Sequence, residues 1–241
     1  MGRKISYLLI LLITVMAMPL SAAFAQRQSD ASSLNTENLK MLGAYIDVPS
    51  MDTSPVEFSI GNVRYRAPRN YITNMENYKG GPQTLVSFKV TVPDFQPFND
   101  KTKDCMTKPL AYLPPGCFPV EFNVISGVPV SDDEAFHNAS NLFHSQTPKD
   151  GLYGFELYET GPDNARIETY RKEANGHTLM IHCLVGDTHV TRDPVCNNTS
   201  RLKNQNGLEY SFYKSRLQYA QQIDGELRKL LDSFTVGKVN P

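Results

Sequence analysis

Apolar and polar positions alternate with a period of two over much of the chain after residue 55. Val56, Phe58 and Ile60 precede Gly61-Asn62, and Val63 and Tyr65 follow it, so residues 56–60 and 63–66 read as two strands joined by a two-residue hairpin turn. Residues 85–92 place Val86, Phe88, Val90 and Val92 on one face and Ser87, Lys89 and Thr91 on the other, which predicts a strand with one wet face. Val120, Phe122 and Val124 repeat that pattern. Further strands are predicted at 152–158, 166–171, 177–185 and 208–214. The period then changes. Ala220, Ile223, Leu227, Leu230, Leu231 and Phe234 fall on one face at helical spacing, with Arg228, Lys229 and Asp232 outside, so residues 215–234 read as an amphipathic helix. Gly225 weakens it by about 1 kcal/mol relative to alanine.

Between these elements lie two long loops, 94–116 and 186–207. Ser131 followed by Glu134 carries the pattern of a capping box, which predicts a short helix fading by Phe143. The fold class expected is α+β, with antiparallel sheet packed by the C-terminal helix.

The N-terminus has a different texture. Arg3 and Lys4 precede the apolar run LLILLITVMA at 8–17, Pro19 breaks it, and Ala23-Phe24-Ala25 matches the small-x-small pattern of a signal-peptidase site. The run is shorter than the roughly 20 apolar residues of a membrane span. Residues 1–25 are therefore expected to be a cleaved signal peptide of bacterial Sec type, with the product in the periplasm. No stable membrane insertion is expected after cleavage. Residues 26–50 read as a flexible lead-in, and 51–241 as a single α+β domain.

The leader carries two of the chain's 24 cations and none of its 25 acids, so the mature chain is close to −3. That balance argues against nucleic acid or an anionic membrane as a partner. All four cysteines, Cys105, Cys117, Cys183 and Cys196, follow the leader. In an oxidising compartment they read as two disulfides. The pairing Cys105–Cys117 with Cys183–Cys196 closes the shortest loops, an advantage of about 1–2 kcal/mol. Zinc pairs sit closer together than either of these.

The chain holds no G-x-S-x-G, H-E-x-x-H, G-x-G-x-x-G or P-loop pattern. His177 and His182 sit on one predicted strand but face opposite ways, because their separation is odd. A site joining His144 to His182 is conceivable, although no ligand spacing points to it. Asp132, Asp133 and Glu134 are explained by capping, and Asp187, Asp193, Arg192 and Arg201 read as solvated loop charges. No catalytic residue, metal or cofactor is expected. Arg64, Arg66, Arg69 and Tyr71 concentrate residue types that dominate protein-binding hot spots. Tyr112, in a proline-rich loop beside Cys117, is a stiff second candidate.

Three features together carry a resemblance. They are the Sec-type leader, the segment FSIGNVRYRAPRNYI at 58–72 and the cysteine loop PLAYLPPGCFPVEF at 109–122. A later cysteine pair and a strand running into the amphipathic helix complete the layout. This resembles the periplasmic immunity proteins encoded beside toxic effectors of bacterial type VI secretion systems. The resemblance implies a toxin inhibitor that binds a secreted effector, with no active site of its own. Two other classes stay open on the residues alone: a secreted hydrolase or metal-dependent enzyme, and a passive envelope ligand-binding module.

Overall fold

Gly61 turns the chain at a φ of 56°, and a Cβ there would stand 3.0 Å from Asn206 Oδ1. A side chain is thus disfavoured by both backbone and space. The turn joins β1 (Pro55–Ile60) to β2 (Val63–Pro68) in the register that sets Phe58 opposite Tyr65. β3 (Gly81–Gln83) adds to β1 in parallel, and β12 (Thr235–Lys238) adds to β2 antiparallel. The result is a four-stranded sheet of order β12-β2-β1-β3. Its inner face buries Val56, Phe58, Ile60, Val63, Tyr65 and Ala67, while Glu57, Arg64 and Arg66 stay exposed.

The computed structural model describes residues 50–241 except 75–76, 78, 109–111, 128–129, 139–146, 163–164, 175, 187–192 and 240–241, all within the unit Asp47–Pro241. The expected leader and nearly all of the expected lead-in lie outside the described residues. So do His144, Asp187, Arg192 and the end expected for the helix that begins near Ser131.

The larger sheet is antiparallel throughout. It comprises β4 (Leu85–Val92), β5 (Phe118–Ile125), β6 (Lys149–Asp150), β7 (Glu156–Thr160), β8 (Ala165–Ala174), β9 (His177–Gly186), β10 (Val195–Arg201) and β11 (Gly207–Tyr213). Their order is β4-β5-β11-β10-β9-β8-β7-β6. One face packs against the small sheet and against α3 (Ala220–Phe234). Phe88 is the hub: its ring lies 4.9 Å from Phe122, 6.1 Å from Phe58 and 6.1 Å from Phe234. Each such side chain, fully buried, contributes roughly 1.5–3 kcal/mol. Tyr65 is buried in the same core, and its hydroxyl accepts hydrogen bonds from Asn204 and Asn206. Asn206 also donates to Ile60 O, which ties the β10–β11 turn to the small sheet.

The expected strands and both expected disulfides are present, Cys105–Cys117 and Cys183–Cys196. The sheet content is larger than an α+β reading implies. Residues 94–116 are not all loop, because α1 (Lys103–Thr107) carries Cys105 within them. Leu152–Gly154 is a 3-10 turn rather than strand, with Tyr153 at a φ of 57°. Lys214–Tyr219 is likewise 3-10, so the final helix starts at Ala220.

The main correction is at 186–207, where β10 replaces part of the expected loop. Its sequence VCNNTSR lacks apolar alternation because two of its three inward positions, Asn198 and Ser200, are polar and hydrogen-bonded. Asn198 donates to Met180 O, and Ser200 Oγ accepts from Arg228. Arg228 is therefore turned inward, not outward as its helical position predicts. Its partner Asp224 is fully buried on the face that the sequence marks as apolar.

Candidate functional site

The sequence-chosen residues fall on three separate features. Arg64 and Arg66 project from the outer face of the small sheet, and both approach Glu57, at 3.6 and 3.7 Å. These are exposed pairs and contribute little to stability. Arg69 sits 3.5 Å from Asp52. Tyr71 instead turns toward the core, its ring meeting Phe234 edge-on at 5.2 Å, and burial pushes its phenol up. Tyr112 belongs to the cysteine loop and is 72% exposed. So the fold unites Arg64 with Arg66, makes Tyr71 partly structural and sends Tyr112 elsewhere.

The face of the large sheet turned away from the core is the more developed surface. Pairing register assembles it from positions far apart in sequence, open toward β4 and covered toward β7, where Thr169 and Tyr158 are buried. Ser87, Asn123, Glu209 and Thr199 form one row across β4, β5, β11 and β10. Lys89, Glu121, Ser211, Asn197, His182, Thr169 and Tyr158 form the next, spanning seven strands from β4 to β7. One step further, Val195, Leu184 and Ile167 lie on β10, β9 and β8, with exposures of 46%, 58% and 38%. Three aliphatic side chains on the wet face of adjacent strands make a patch of the kind that marks interaction sites.

Two walls bound this face. On one side α2 (Asp132–Asn138) sits over β9 and β10. Its capping box is closed as the sequence predicts: Ser131 N–H donates to Glu134, and Glu134 N–H donates to Ser131 Oγ. Asp132 accepts a hydrogen bond from Thr199 N–H. Phe136 packs edge-on against Tyr158, with Met180 beneath. On the other side stands the cysteine loop, through Met106, Lys108 and Leu113. Between the walls lies a trough of two adjoining hollows, of about 500 and 320 Å³, that share Glu121 and Ser211.

The charges in the trough are unevenly matched. Glu121 holds Lys89 at 2.7 Å. Among the described residues no cation forms an ion pair with Glu209. Burial pushes the Asp132 carboxyl up to about 6, the Thr199 N–H pulls it down, and the Glu209 charge raises it further. His182 stands 3.7 Å from Asp132 and shares a hydrogen bond with Thr169 Oγ1 at 2.9 Å; burial lowers its pKa.

The two titrations oppose each other. Asp132 has a raised folded pKa, so its favourable contribution is complete below about pH 4 and is lost as the pH rises through 6, a span worth roughly 3 kcal/mol. His182 has a lowered folded pKa, so its contribution is present above its unfolded pKa and is lost as the pH falls. Denaturant titrations from pH 4.5 to 7.5 should separate them. Asp132→Asn should leave a chain that loses stability as the pH falls, and His182→Gln one that gains it. Parallel pH profiles for the two variants would contradict this pairing.

A larger cleft, about 940 Å³, runs beside α3 and is lined by polar side chains such as Gln218, Gln222 and Lys229. At its edge His177 Nε2 lies 2.7 Å from Asp224 Oδ2, and Arg228 Nε lies 3.0 Å from the same oxygen. A carboxylate–imidazole contact is a component of hydrolytic sites. Here its partners are structural: Arg228 continues to Ser200 Oγ and Arg201 O, and Tyr210 donates to Asp224. His177 and His182 face opposite sides of β9, as their odd separation predicts.

Glu209, Asn123 and Thr199 were missed by sequence reasoning because only register brings them together. Leu184 had a signal. From Leu179 to Leu184 every residue but His182 is apolar, more than one buried face requires.

No family model and no curated protein matches this sequence. Among solved structures the chain is similar to Smlt3025, an immunity protein of the Stenotrophomonas maltophilia type IV secretion system. The TM-score is 0.54 at 12% identity, and the match covers 76% of this chain and 94% of that one. The two share a fold. Among the described residues no helix is long and apolar enough to cross a membrane.

Proposed function

We propose that this protein is an exported, periplasmic immunity protein that binds a toxic effector and neutralises it. The fold shared with a secretion-system immunity protein over most of both chains is the observation that carries the reading. Two disulfides suit an oxidising compartment. The sequence resemblance points to a type VI system and the solved neighbour belongs to a type IV system. The proposal is therefore made for the class common to both, an inhibitor of an effector delivered by a secretion system. The leader at 1–25, the lead-in at 26–50 and the domain at 51–241 belong to the same proposal. Arg64, Arg66, Arg69, Tyr71 and Tyr112 remain proposed contact residues, with Arg64 and Arg66 the pair the fold leaves on one open surface.

The test is protection. The secreted protein encoded beside this gene, directed to the periplasm of a host cell, should arrest growth. The full chain should restore growth, and a chain lacking residues 1–25 should not. Growth arrest that the full chain leaves unrelieved, with no binding between the purified proteins at micromolar concentration, would remove the reading.

A further inference from the structure

The long edge strand β4 is already covered. Thr73 N–H donates to Ser87 O, Asn77 donates to Leu85 O and accepts from Ser87 N–H, and Thr91 N–H donates to Gln96 O. That edge is blunted against strand addition. The outer face of the same sheet is left open.

We propose that this face, between α2 and the cysteine loop, is where the effector docks, and that it takes a segment presenting a lysine or arginine side chain a few residues from an apolar one. The cation enters the trough beside Glu209, and the apolar side chain covers the Leu184 patch four residues further along β10. The proposal rests on the immunity reading.

Four observations converge on it. First, the face is concave and its walls are fixed, one by the closed capping box of α2, the other by the Cys105–Cys117 bridge. A pre-organised wall loses little freedom on binding. Second, Leu184, Val195 and Ile167 are exposed side by side on three adjacent strands. An aliphatic patch in a polar setting gains from being covered. Third, the hollow that Glu209 lines holds two acids and no lining cation, and the lysines of the adjoining hollow are engaged, Lys89 by Glu121 and Lys108 by Asp104. Glu209 has no ion-pair partner among the described residues, and its charge acts on the half-buried Asp132 carboxylate nearby. A cation arriving there relieves the repulsion and gains two partners. Fourth, the hydrogen-bonding side chains around Glu209, namely Asn123, Asn197 and Thr199, sit on β5 and β10 rather than on loops. Strand-borne groups hold their geometry, which suits recognition of one fixed side chain.

The occupant follows from the chemistry. The hollow around Glu209, lined by two acids and no cation, rejects an acidic segment, and an aliphatic row gives no purchase to a wholly polar one.

The experiment uses the mature chain and, as probe, the secreted protein encoded beside its gene, made inactive by substitution. Affinity is measured for wild type, Glu209→Lys, Leu184→Asp and Lys229→Glu, the last an exposed position on α3 away from the trough, with thermal unfolding of each as the control for folding. Glu209→Lys and Leu184→Asp should each weaken binding by roughly ten- to a hundred-fold, and Lys229→Glu should change it less than threefold. A substitution of the probe's contacting lysine or arginine by glutamate should be rescued by Glu209→Lys. Folded variants of both trough residues that bind like wild type would overturn the surface while leaving the immunity reading in place. Failure of the wild-type chain itself to bind or protect would overturn both. A wild-type dimer that Leu184→Asp converts to monomer would give the face to a second copy and overturn the effector assignment.

Discussion

Asp224→Ala should cost about 3–5 kcal/mol of folding stability at neutral pH. Asp224 is fully buried, and its two oxygens meet His177, Arg228 and Tyr210. Burial works to raise the carboxyl, but the His177 contact and the Arg228 charge outweigh it and hold the group below its ordinary value. It is therefore charged at neutral pH, and removing it leaves a mostly buried guanidinium without its counter-ion. The same carboxylate joins α3 to β9 through His177 and to β11 through Tyr210, and Arg228 carries the link on to β10. For a chain of this size the loss should lower Tm by roughly 10 °C. Asp224→Asn should fall between wild type and Asp224→Ala, because it keeps the shape and loses the charge. A depressed pKa contributes above the unfolded value near 4 and is lost as the pH falls through the folded one, so the gap between wild type and Asp224→Ala should narrow below about pH 4. A loss under 1 kcal/mol at pH 7 would show that water reaches these groups and that they do not hold the helix in place.

That cluster marks the limit of what the sequence makes legible. Positions whose environment follows from period alone were readable. Phe58, Phe88 and Phe122 alternate with polar residues and form the core, and Ile223, Leu227 and Leu231 define the inner side of α3. The disulfides were readable because loop closure favours the short pairings. Asp224 and Arg228 were not readable, since a helical wheel assigns charges to solvent and the two satisfy each other only once β9, β10 and β11 are in place. β10 was lost for the same reason. Its inward Asn198 and Ser200 look like loop residues until Met180 O and Arg228 supply their partners. The docking face depended on register. Glu209 meets Asn123 and Thr199 only through the pairing of three strands, whereas Arg64 and Arg66 were visible because they are near neighbours in sequence on one strand. Short-range patterns reveal candidate hot spots that lie within one element, and miss those built across several.

The second large effect concerns the seam between β9 and β10. Register there comprises Cys196 opposite Cys183 and Asn197 opposite His182, whereas β8 and β9 pair along their full length from Ala165 to Ala174. The eight-stranded sheet is thus two halves, β4-β5-β11-β10 and β9-β8-β7-β6, joined by a short ladder. Other links cross the seam as well, besides the Asp224 cluster that joins His177 to Tyr210 and Arg228. The Cys183–Cys196 bridge staples it, Asn198 donates across it to Met180 O, and Asp132 on α2 reaches both Thr199 and His182. Closing the loop between Cys183 and Cys196 stabilises by about 3 kcal/mol on chain-entropy grounds, and a similar figure applies to Cys105–Cys117. The two bridges should nevertheless behave differently. Cys105→Ala with Cys117→Ala frees a wall of the docking trough, so its main effect should be on effector affinity and on proteolysis of the loop. Cys183→Ala with Cys196→Ala should lose more than 3 kcal/mol, because two fully buried sulfurs leave the core and the seam loses its staple. Hydrogen exchange should then be faster in β6–β9 than in β4, β5 and β11, and unfolding followed by two probes, one in each half, should no longer coincide. Coincident transitions, with a loss no larger than that of the Cys105–Cys117 variant, would show that the two halves cohere without the bridge. If the seam behaves as expected, the docking face is continuous only in the oxidised protein, because the Leu184 patch lies on one half and Glu209 on the other. Oxidation would then be a condition for the proposed activity as well as for stability, and a chain made in a reducing cytosol should bind the proposed effector no better than the Cys183→Ala, Cys196→Ala variant.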